Sequence, residues 1–564
     1  MRQLDTPLAS IGATVMFSFN LPSGLNRHAA RVFYKWALWT TALLLSGGSW
    51  AQAPGTLDTT FALGNGKIPA ISIGTGASSV KSVAIQRDGK ILLFGECANG
   101  VGVGGISDID FCVVRLNPDG TLDGSFAGPS GNANGKVIIP MGTLSDRAAA
   151  VIVQPDDRIV LAGSCNTASN DSFCFARLLP NGALDATFVG PGGNGAGKIQ
   201  LSINVKSTLT AMALQPDGKL VAVGMCKASD AGGDFCTARL NTDGSLDTAY
   251  VGPAGNGAGK FSFIIGSGID MTYASSVAIQ TDGKVMLVGS CHMTAADHVI
   301  CGARLNVDGS FDNTFFGPAG TSNGRFTLSV GNQGDLGVAV RIQPDGKIVL
   351  FGSCFTGTVF YFCPIRLEPV GSLDTSFDGP AGNGNGKFLI AMTAFGDHAS
   401  TLHVLPDGKL LLSGTCGPAN SDFCVARLHG DGTVDGSFDG PLGAGIGKAF
   451  YAIGSSTDKL NATAIQADGK LVMAGECYDS NSARYLFCVA RANGGPYAYS
   501  ACSLDIDGDN QVLATTDTLI TTRVALGVRG SAVINGITFP ANATRNTWPQ
   551  IRDYLLSQCG MNVY

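Results

Sequence analysis

The chain has 564 residues, of which 78 are glycine and only 14% are charged. That balance describes strands and turns rather than helices. A net charge of −6 with no basic run argues against nucleic acid as a partner.

In chain order, the first feature is an export pattern. Arg27, Arg31 and Lys35 precede the apolar run Trp36–Leu45, and the small residues of Ser46–Ala51 follow. Residues 1–51 read as a signal peptide cut after Ala51, with Ser49 and Ala51 at the small-residue positions. The stretch ahead of the basic cluster is long for a leader, and Met16 offers a second start. The apolar run is too short to span a bilayer permanently and no later segment is longer, so no transmembrane segment is expected after cleavage.

One phrase then occurs seven times. Gln86–Lys90 returns as Gln154–Arg158, Gln215–Lys219, Gln280–Lys284, Gln343–Lys347, Leu405–Lys409 and Gln466–Lys470, at intervals of 61 to 68 residues. The third copy shows the pieces of each interval: Gly197–Leu201, Leu209–Gln215, Lys219–Gly224 and Phe235–Leu240. All are short, aliphatic and bounded by Gly, Asp or Asn, as strands are. In the Pro-Asp-Gly turn, proline presets the first angle, aspartate can bond the backbone ahead and glycine accepts positive φ, which makes a tight hairpin. Asp157 replaces the glycine once, and Asp visits the left-handed region more readily than most residues. Each interval therefore predicts a four-stranded antiparallel meander.

Such a sheet cannot bury both faces alone, so neighbours must stack on it. The expected fold is all-β: a seven-bladed β-propeller over residues 52–498. A Leu-Asp-x-x-Phe element also occurs seven times, from Leu57–Phe61 to Val434–Phe438. Its first copy precedes the first sheet and none follows the seventh, so the N-terminal copy is expected to supply the junction between last and first blades.

Sixteen cysteines fall into eight pairs: Cys97–Cys112, Cys165–Cys174, Cys226–Cys236, Cys291–Cys301, Cys354–Cys363, Cys416–Cys424, Cys477–Cys488 and Cys502–Cys559. An even set at regular positions in an exported chain reads as a disulfide framework. No Cys-x-x-Cys occurs and no histidine recurs beside the pairs, which argues against metal binding. Seven pairs clamp the mouth of a hairpin, each loop closure contributing roughly 2.5–3 kcal/mol.

Residues 55 to about 495 resemble the delta-60 repeat family, bacterial propeller repeats built on a Gln-Pro-Asp-Gly-Lys hairpin, an Ala-Arg-Leu strand and a Leu-Asp-x-x-Phe turn. Leu214–Lys219, Ala238-Arg239-Leu240 and Leu246-Asp247 carry the resemblance. It implies an exported bacterial propeller and no particular activity.

Among motifs that could carry chemistry, Gly192–Lys198 and Gly255–Lys260 have the spacing of a phosphate-binding loop. The Ser or Thr that should follow the lysine is replaced by Ile199 and Phe261, and a strand follows where a helix is needed, so these read as blade connectors. Arg115, Arg177, Arg239, Arg304, Arg366, Arg427 and Arg491 recur with the repeat, as do Asp58, Asp123, Asp185, Asp247, Asp312, Asp374 and Asp435. They read either as guanidinium groups facing an anion in a channel or as structural ion pairs. A structural pair repeats with the symmetry and a binding site breaks it, so the structural reading is preferred. The loops between paired cysteines vary most: one holds Asp108 and Asp110, another His292 and His298, a third Phe355, Phe360 and Tyr361, and the last Tyr478, Asp479, Arg484 and Tyr485.

The segment 499–564 predicts a separate dockerin-like, α-helical module. Asp505, Asp507 and Asp509 alternate around Gly508, Gln511 offers a backbone carbonyl and Asp517 closes the loop, as a single Ca2+ site requires. Closure falls one position later than in an EF-hand and uses Asp rather than Glu. Helices are expected over Asp517–Leu526 and from Trp548 to Ser557, with Cys502–Cys559 stapling the ends.

Together these features predict a secreted, extracellular or periplasmic bacterial protein, monomeric, binding an extracellular protein or glycan. A propeller enzyme acting on carbohydrate or phosphoester and a purely structural envelope component are the alternatives.

Overall fold

The computed structural model describes residues 53–557 apart from 102–106, 129–133, 168–169, 192–194, 228–231, 267–271, 295–296, 320–322, 333, 383–384, 418–420, 442–445, 495–504, 510, 527 and 529. The expected signal over 1–51 and the Cys502–Cys559 pair lie outside the described residues. No described helix is long and apolar enough to cross a membrane.

The chain forms an all-β, propeller-like fold of four-stranded antiparallel sheets with few helices. In the third copy the inner strand Lys206–Leu214 pairs with Leu220–Lys227, that strand with Asp234–Leu240, and the last with the short outer strand Lys260–Phe263. The Pro-Asp-Gly hairpin forms as expected. Gln215 N donates to Lys219 O at 2.8 Å, and Gly218 sits at φ +85°. Asp157 adopts φ 64° in its place in the second copy.

The expected order of pieces needs one correction. Lys198–Leu201 does not open the third sheet; it pairs with Asn170–Leu178 and completes the second (Phe173↔Leu201, Ala176↔Lys198). The Leu-Asp-x-x-Phe turn and its connector carry the chain back along the strand it has just left. The short strand is therefore always the outer edge of the preceding sheet. In the fifth copy this edge is reduced to the bridges Phe362↔Ile390 and Ile365↔Lys387.

The last copy (Asp458–Ile465, Leu471–Asp479, Arg484–Ala492) has no such strand after it among the described residues. Its outer edge is the N-terminal strand Lys67–Ile71, antiparallel to Arg484–Ala492 (Lys67↔Ala490, Ile68↔Val489). Leu57 bridges Ala492 as Leu122 bridges Leu116 in the first copy.

Every inner strand carries a β-bulge two to four residues from its start, as between Leu209 and Ala211. In four copies the bulged side chain reaches the next inner strand. Thr210 donates to Ala274 O, Ser275 to Gly337 O, Ser400 to Leu460 O (2.6 Å) and Asn461 to Val80 O (2.9 Å). These links were not visible in the sequence, because a bulge shifts the alternation of faces.

The cores lie between adjacent sheets. Val160, Ala162 and Phe175 of the second copy pack with Leu209, Leu220 and Ala238 of the third. Phe61, Ile71 and Val80 pack with Val472, Ala474 and Phe487. Burying one such Phe contributes about 2 kcal/mol. Beyond the sheets, helix α1 (Asp517–Ala525) and helix α2 (Trp548–Ser557) enclose a small core of Ile506, Ile520, Val533, Ile551 and Leu555.

Candidate functional site

The seven arginines do not face a ligand. Each lies buried on its strand with Nε on the recurring aspartate, from Arg115–Asp123 at 2.7 Å to Arg491–Asp58 at 2.7 Å. Each Nη1 donates to a turn carbonyl of a neighbouring copy: Arg115 to Pro180, Arg177 to Thr242, Arg239 to Val307, Arg491 to Pro118. Each guanidinium also sits over the aromatic ring of the Leu-Asp-x-x-Phe turn, 4.4 Å from its centre at Phe126 and 4.6 Å at Phe61. The hairpin lysine completes the group, as Lys284 does 3.1 Å from Asp312. Burial works to raise the Asp312 carboxyl, but Thr314, Lys284 and Arg304 hold it down at about 2. The arrangement ties strand, turn and neighbouring sheet together.

The seven cysteine pairs within the sheets are disulfides, with Cα atoms 5.6 Å apart at Cys226–Cys236 and 5.9 Å at Cys97–Cys112. Cys236 stands opposite Gly224, where a Cβ would lie 1.9 Å from Thr208 O, so only glycine lets the inner strand approach. This framework fits an oxidising compartment.

The loops beyond the disulfides differ from copy to copy. His292 and His298 face each other across their hairpin with ring centres 3.6 Å apart, and no third metal-ligating group joins them among the described residues. Phe355 packs on Phe360 (5.1 Å) and Phe360 on His398 (5.5 Å). Tyr478 meets the exposed Tyr485 edge to face at 5.5 Å. Asp110 is buried and accepts from Asn99 Nδ2 at 3.1 Å; burial, then the neighbouring Asp108, raises its carboxyl. Beside it, burial followed by Asp110 and Asp108 pushes Asp146 up to about 6. Asp146, Asp335, Asp397 and Asp458 were missed as a set: each starts its inner strand or, for Asp335, immediately precedes it, and accepts a backbone N–H five residues back at 2.6–2.7 Å. Their equal offset from the hairpin glutamine or leucine was the available signal.

A cavity of about 1100 Å3 runs between the inner strands, from Ser82 on the first to Ala462 on the last. Much of its wall is alanine and valine, including Ala149, Ala150, Val151 and Ala211. One sector is polar. There Thr401 and Thr463 share a hydroxyl contact at 2.6 Å, and His403 Nε2 lies 2.7 Å from Thr463 Oγ1. Arg341 projects from the adjoining strand, its Nη1 on Val340 O at 2.8 Å. Burial, helped by the Arg341 charge, pushes the His403 imidazole down to about 3. No carboxylate lines the cavity among the described residues.

In the C-terminal module, carboxylate oxygens of Asp505, Asp507 and Asp517 lie within 4.8 Å of one another. Two oxygens on opposite sides of a Ca2+ ion are separated by about that distance. Asp507 and Asp509 are buried, and each has an Oδ2 without a hydrogen-bond partner. Such an orphaned buried oxygen is costly unless a cation meets it. Burial, then Asp517 and Asp509, raises the Asp507 carboxyl. Asp517 is held low despite burial because Leu513, Asp507 and Ile506 donate backbone N–H groups to it. Gln511 is exposed and its N–H donates to Asp509 Oδ1 at 2.7 Å. Arg545, stacked 3.9 Å over Tyr554 of helix α2, holds the loop carbonyls of Asp505 and Ile506. The donor set fits a hard cation.

Against known proteins, six stretches match one family model. Residues 86–126, 154–188, 215–250, 280–315, 343–377 and 405–438 match a domain of unknown function (DUF5122) described as a beta-propeller. Each stretch runs from the hairpin to the Phe or Tyr of the following turn. The seventh copy of the hairpin phrase, Gln466–Lys470, lies outside the matched residues. No curated protein matches.

Solved structures with similar folds include a polysaccharide lyase of family PL25, an ulvan lyase, at 9% identity, covering 76% of this chain and 96% of that one with a TM-score of 0.42. Polysaccharide lyase Uly1 gives 11% identity, 78% and 96% coverage and a TM-score of 0.39. The beta-propeller domain of the Trilobed protease from Pyrococcus furiosus gives 9% identity, 76% and 98% coverage and a TM-score of 0.37. At these scores the likeness carries no argument about chemistry.

Proposed function

We propose that the chain is an exported, seven-bladed, disulfide-clamped propeller that acts as a binding scaffold for an extracellular glycan or protein. In this reading residues 1–51 are the export signal, 52–498 the propeller and 499–564 a module holding one Ca2+ through Asp505, Asp507, Asp509, Asp517 and the Gln511 carbonyl. Seven blades and their closure are supported by the N-terminal strand on the last sheet, the Arg491–Asp58 pair and the Asn461–Val80 link.

One observation carries the binding role. The residues that repeat are consumed in holding the sheets together, while the hairpin loops that break the repeat present aromatic pairs, Phe355 with Phe360 and Tyr478 with Tyr485. Variable loops on a rigid scaffold are where recognition concentrates, and aromatic anchors dominate such contacts. An enzyme reading centred on the cavity would need a general acid or base there, and its described lining holds no carboxylate.

Glycan and peptide arrays probed with the full chain, with and without Ca2+, test the role. Binding that falls at least about tenfold in a Tyr478→Ala/Tyr485→Ala or Phe355→Ala/Phe360→Ala variant supports it. Silent arrays, or binding unchanged in both variants, overturn it. Native mass spectrometry tests the module: one Ca2+ per chain, lost in Asp507→Ala, is expected, and no bound Ca2+ retires the site.

A further inference from the structure

The aromatic loops lie at one end of the inner strands, and a second, independent feature lies near the other. Two residues before the hairpin glutamine or leucine, the copies carry Ala84, Ile152, Ala213, Ala278, Arg341, His403 and Ala464. Five copies are apolar there, and the two exceptions are adjacent. One position earlier the copies carry Val, Met or Leu until the seventh, which has Thr463. The three departures from the repeat meet on one wall of the central cavity, where His403 Nε2 reaches Thr463 Oγ1 at 2.7 Å and Thr463 reaches Thr401 at 2.6 Å.

Arg341 is the unusual member. Its guanidinium has five N–H donors. One is spent on the carbonyl of Val340, and no carboxylate among the described residues forms an ion pair with it. Lys81 and Arg87, the other cations lining the cavity, lie 3.1 Å from Glu96 and 3.9 Å from Asp157. A half-buried guanidinium with no counter-charge is costly to keep unless something outside the chain pairs with it. Seven other strand arginines in described sheets show how this chain satisfies a guanidinium when the role is structural: with a buried aspartate and an aromatic ring. Arg341 has neither.

We propose that the central cavity binds a small oxyanion-bearing ligand, its carboxylate, sulfate or phosphate group seated on the Arg341 guanidinium, with the Thr401–Thr463 hydroxyl pair and His403 as hydrogen-bonding groups beside it. The planar fork of arginine matches such oxygens two at a time. The apolar remainder of the wall accommodates the body of the ligand, and at about 1100 Å3 the cavity has room for a sugar-sized molecule. This site goes beyond the loop-borne recognition above and does not depend on it.

Isothermal titration of the full chain with three separate probes, sodium D-glucuronate, sodium sulfate and inorganic phosphate, tests the site, with D-glucose as the neutral control. Saturable binding of at least one oxyanion and none of glucose is expected. Whichever probe binds identifies the oxygen group recognised. Arg341→Ala should weaken that binding about tenfold or more, the loss of a charge-assisted contact. Alanine is the residue that four other copies carry at this position, so the variant fits the sheet. Thr463→Val, which places there the residue found in four other copies, should weaken binding a few-fold while leaving the melting temperature unchanged. Failure of all three probes, or equal binding by wild type and Arg341→Ala, overturns the proposal. Array binding lost through the loop aromatics alone would leave these titrations unaffected, so the two readings fail separately.

Discussion

At the scale of single residues, arginine takes two roles that only its partners distinguish. Arg304 sits between Asp312 (2.6 Å), the Phe315 ring (4.5 Å) and a carbonyl of the next copy. Arg304→Met should therefore lower stability by roughly 3 kcal/mol, because it leaves a buried carboxylate with a weaker partner. Lys284→Met, which removes a half-exposed cation from the same carboxylate, should cost less than about 1 kcal/mol. Equal losses in denaturant titration would contradict this assignment. The same groups set the acid response. Asp123 and Asp312 drop from 3.8 to about 2 on folding, so their contribution is complete above pH 3.8 and lost as pH falls towards 2. Urea midpoints measured at pH 5, 3 and 2 should fall steadily across that window, and a flat profile would show that these carboxylates do not drive acid unfolding.

At the scale of elements, the hairpin between second and third strands is held by its disulfide, its glycine and its turn. Cys226→Ala/Cys236→Ala removes a loop constraint spanning a separation of 10 residues and should lower stability by roughly 2.5–3 kcal/mol. A denaturant midpoint unchanged from wild type would mean that the sheet alone fixes the hairpin. Alkylation of the chain without reduction should add no mass, since seven pairs are bonded and Cys502–Cys559 is expected to be the eighth. One or two added groups would break that expectation. Hairpins and disulfides were legible in the sequence because their partners lie within 15 residues and repeat. The helices were legible for a similar reason. The first was expected over Asp517–Leu526 and runs Asp517–Ala525, with Leu526 at its cap.

At the scale of the whole molecule, the N-terminal strand matters most. A chain starting at Ser72 would lose Lys67–Ile71, Asp58 and Phe61 together, exposing the edge of Arg484–Ala492 and stranding Arg491. Such a chain should melt earlier and self-associate through the bare edge on size-exclusion chromatography. A monomer with unchanged melting would dismiss the proposed closure. The repeat by itself determined the all-β class, the hairpins, the cysteine partners and the structural place of the Arg–Asp pairs, because each follows from contacts a few residues apart. The acidic loop was equally local, and Asp505, Asp507 and Asp517 do come together. Tertiary structure alone decided three things. It assigned the short strand to the preceding sheet, since strand partners are chosen by where the chain turns back, not by sequence order. It set which inner-strand residues face the cavity, since the bulge in every inner strand shifts the side-chain alternation. And it brought Arg341, His403 and Thr463 from three copies onto one wall, since residues some 60 apart meet only when the sheets are packed side by side.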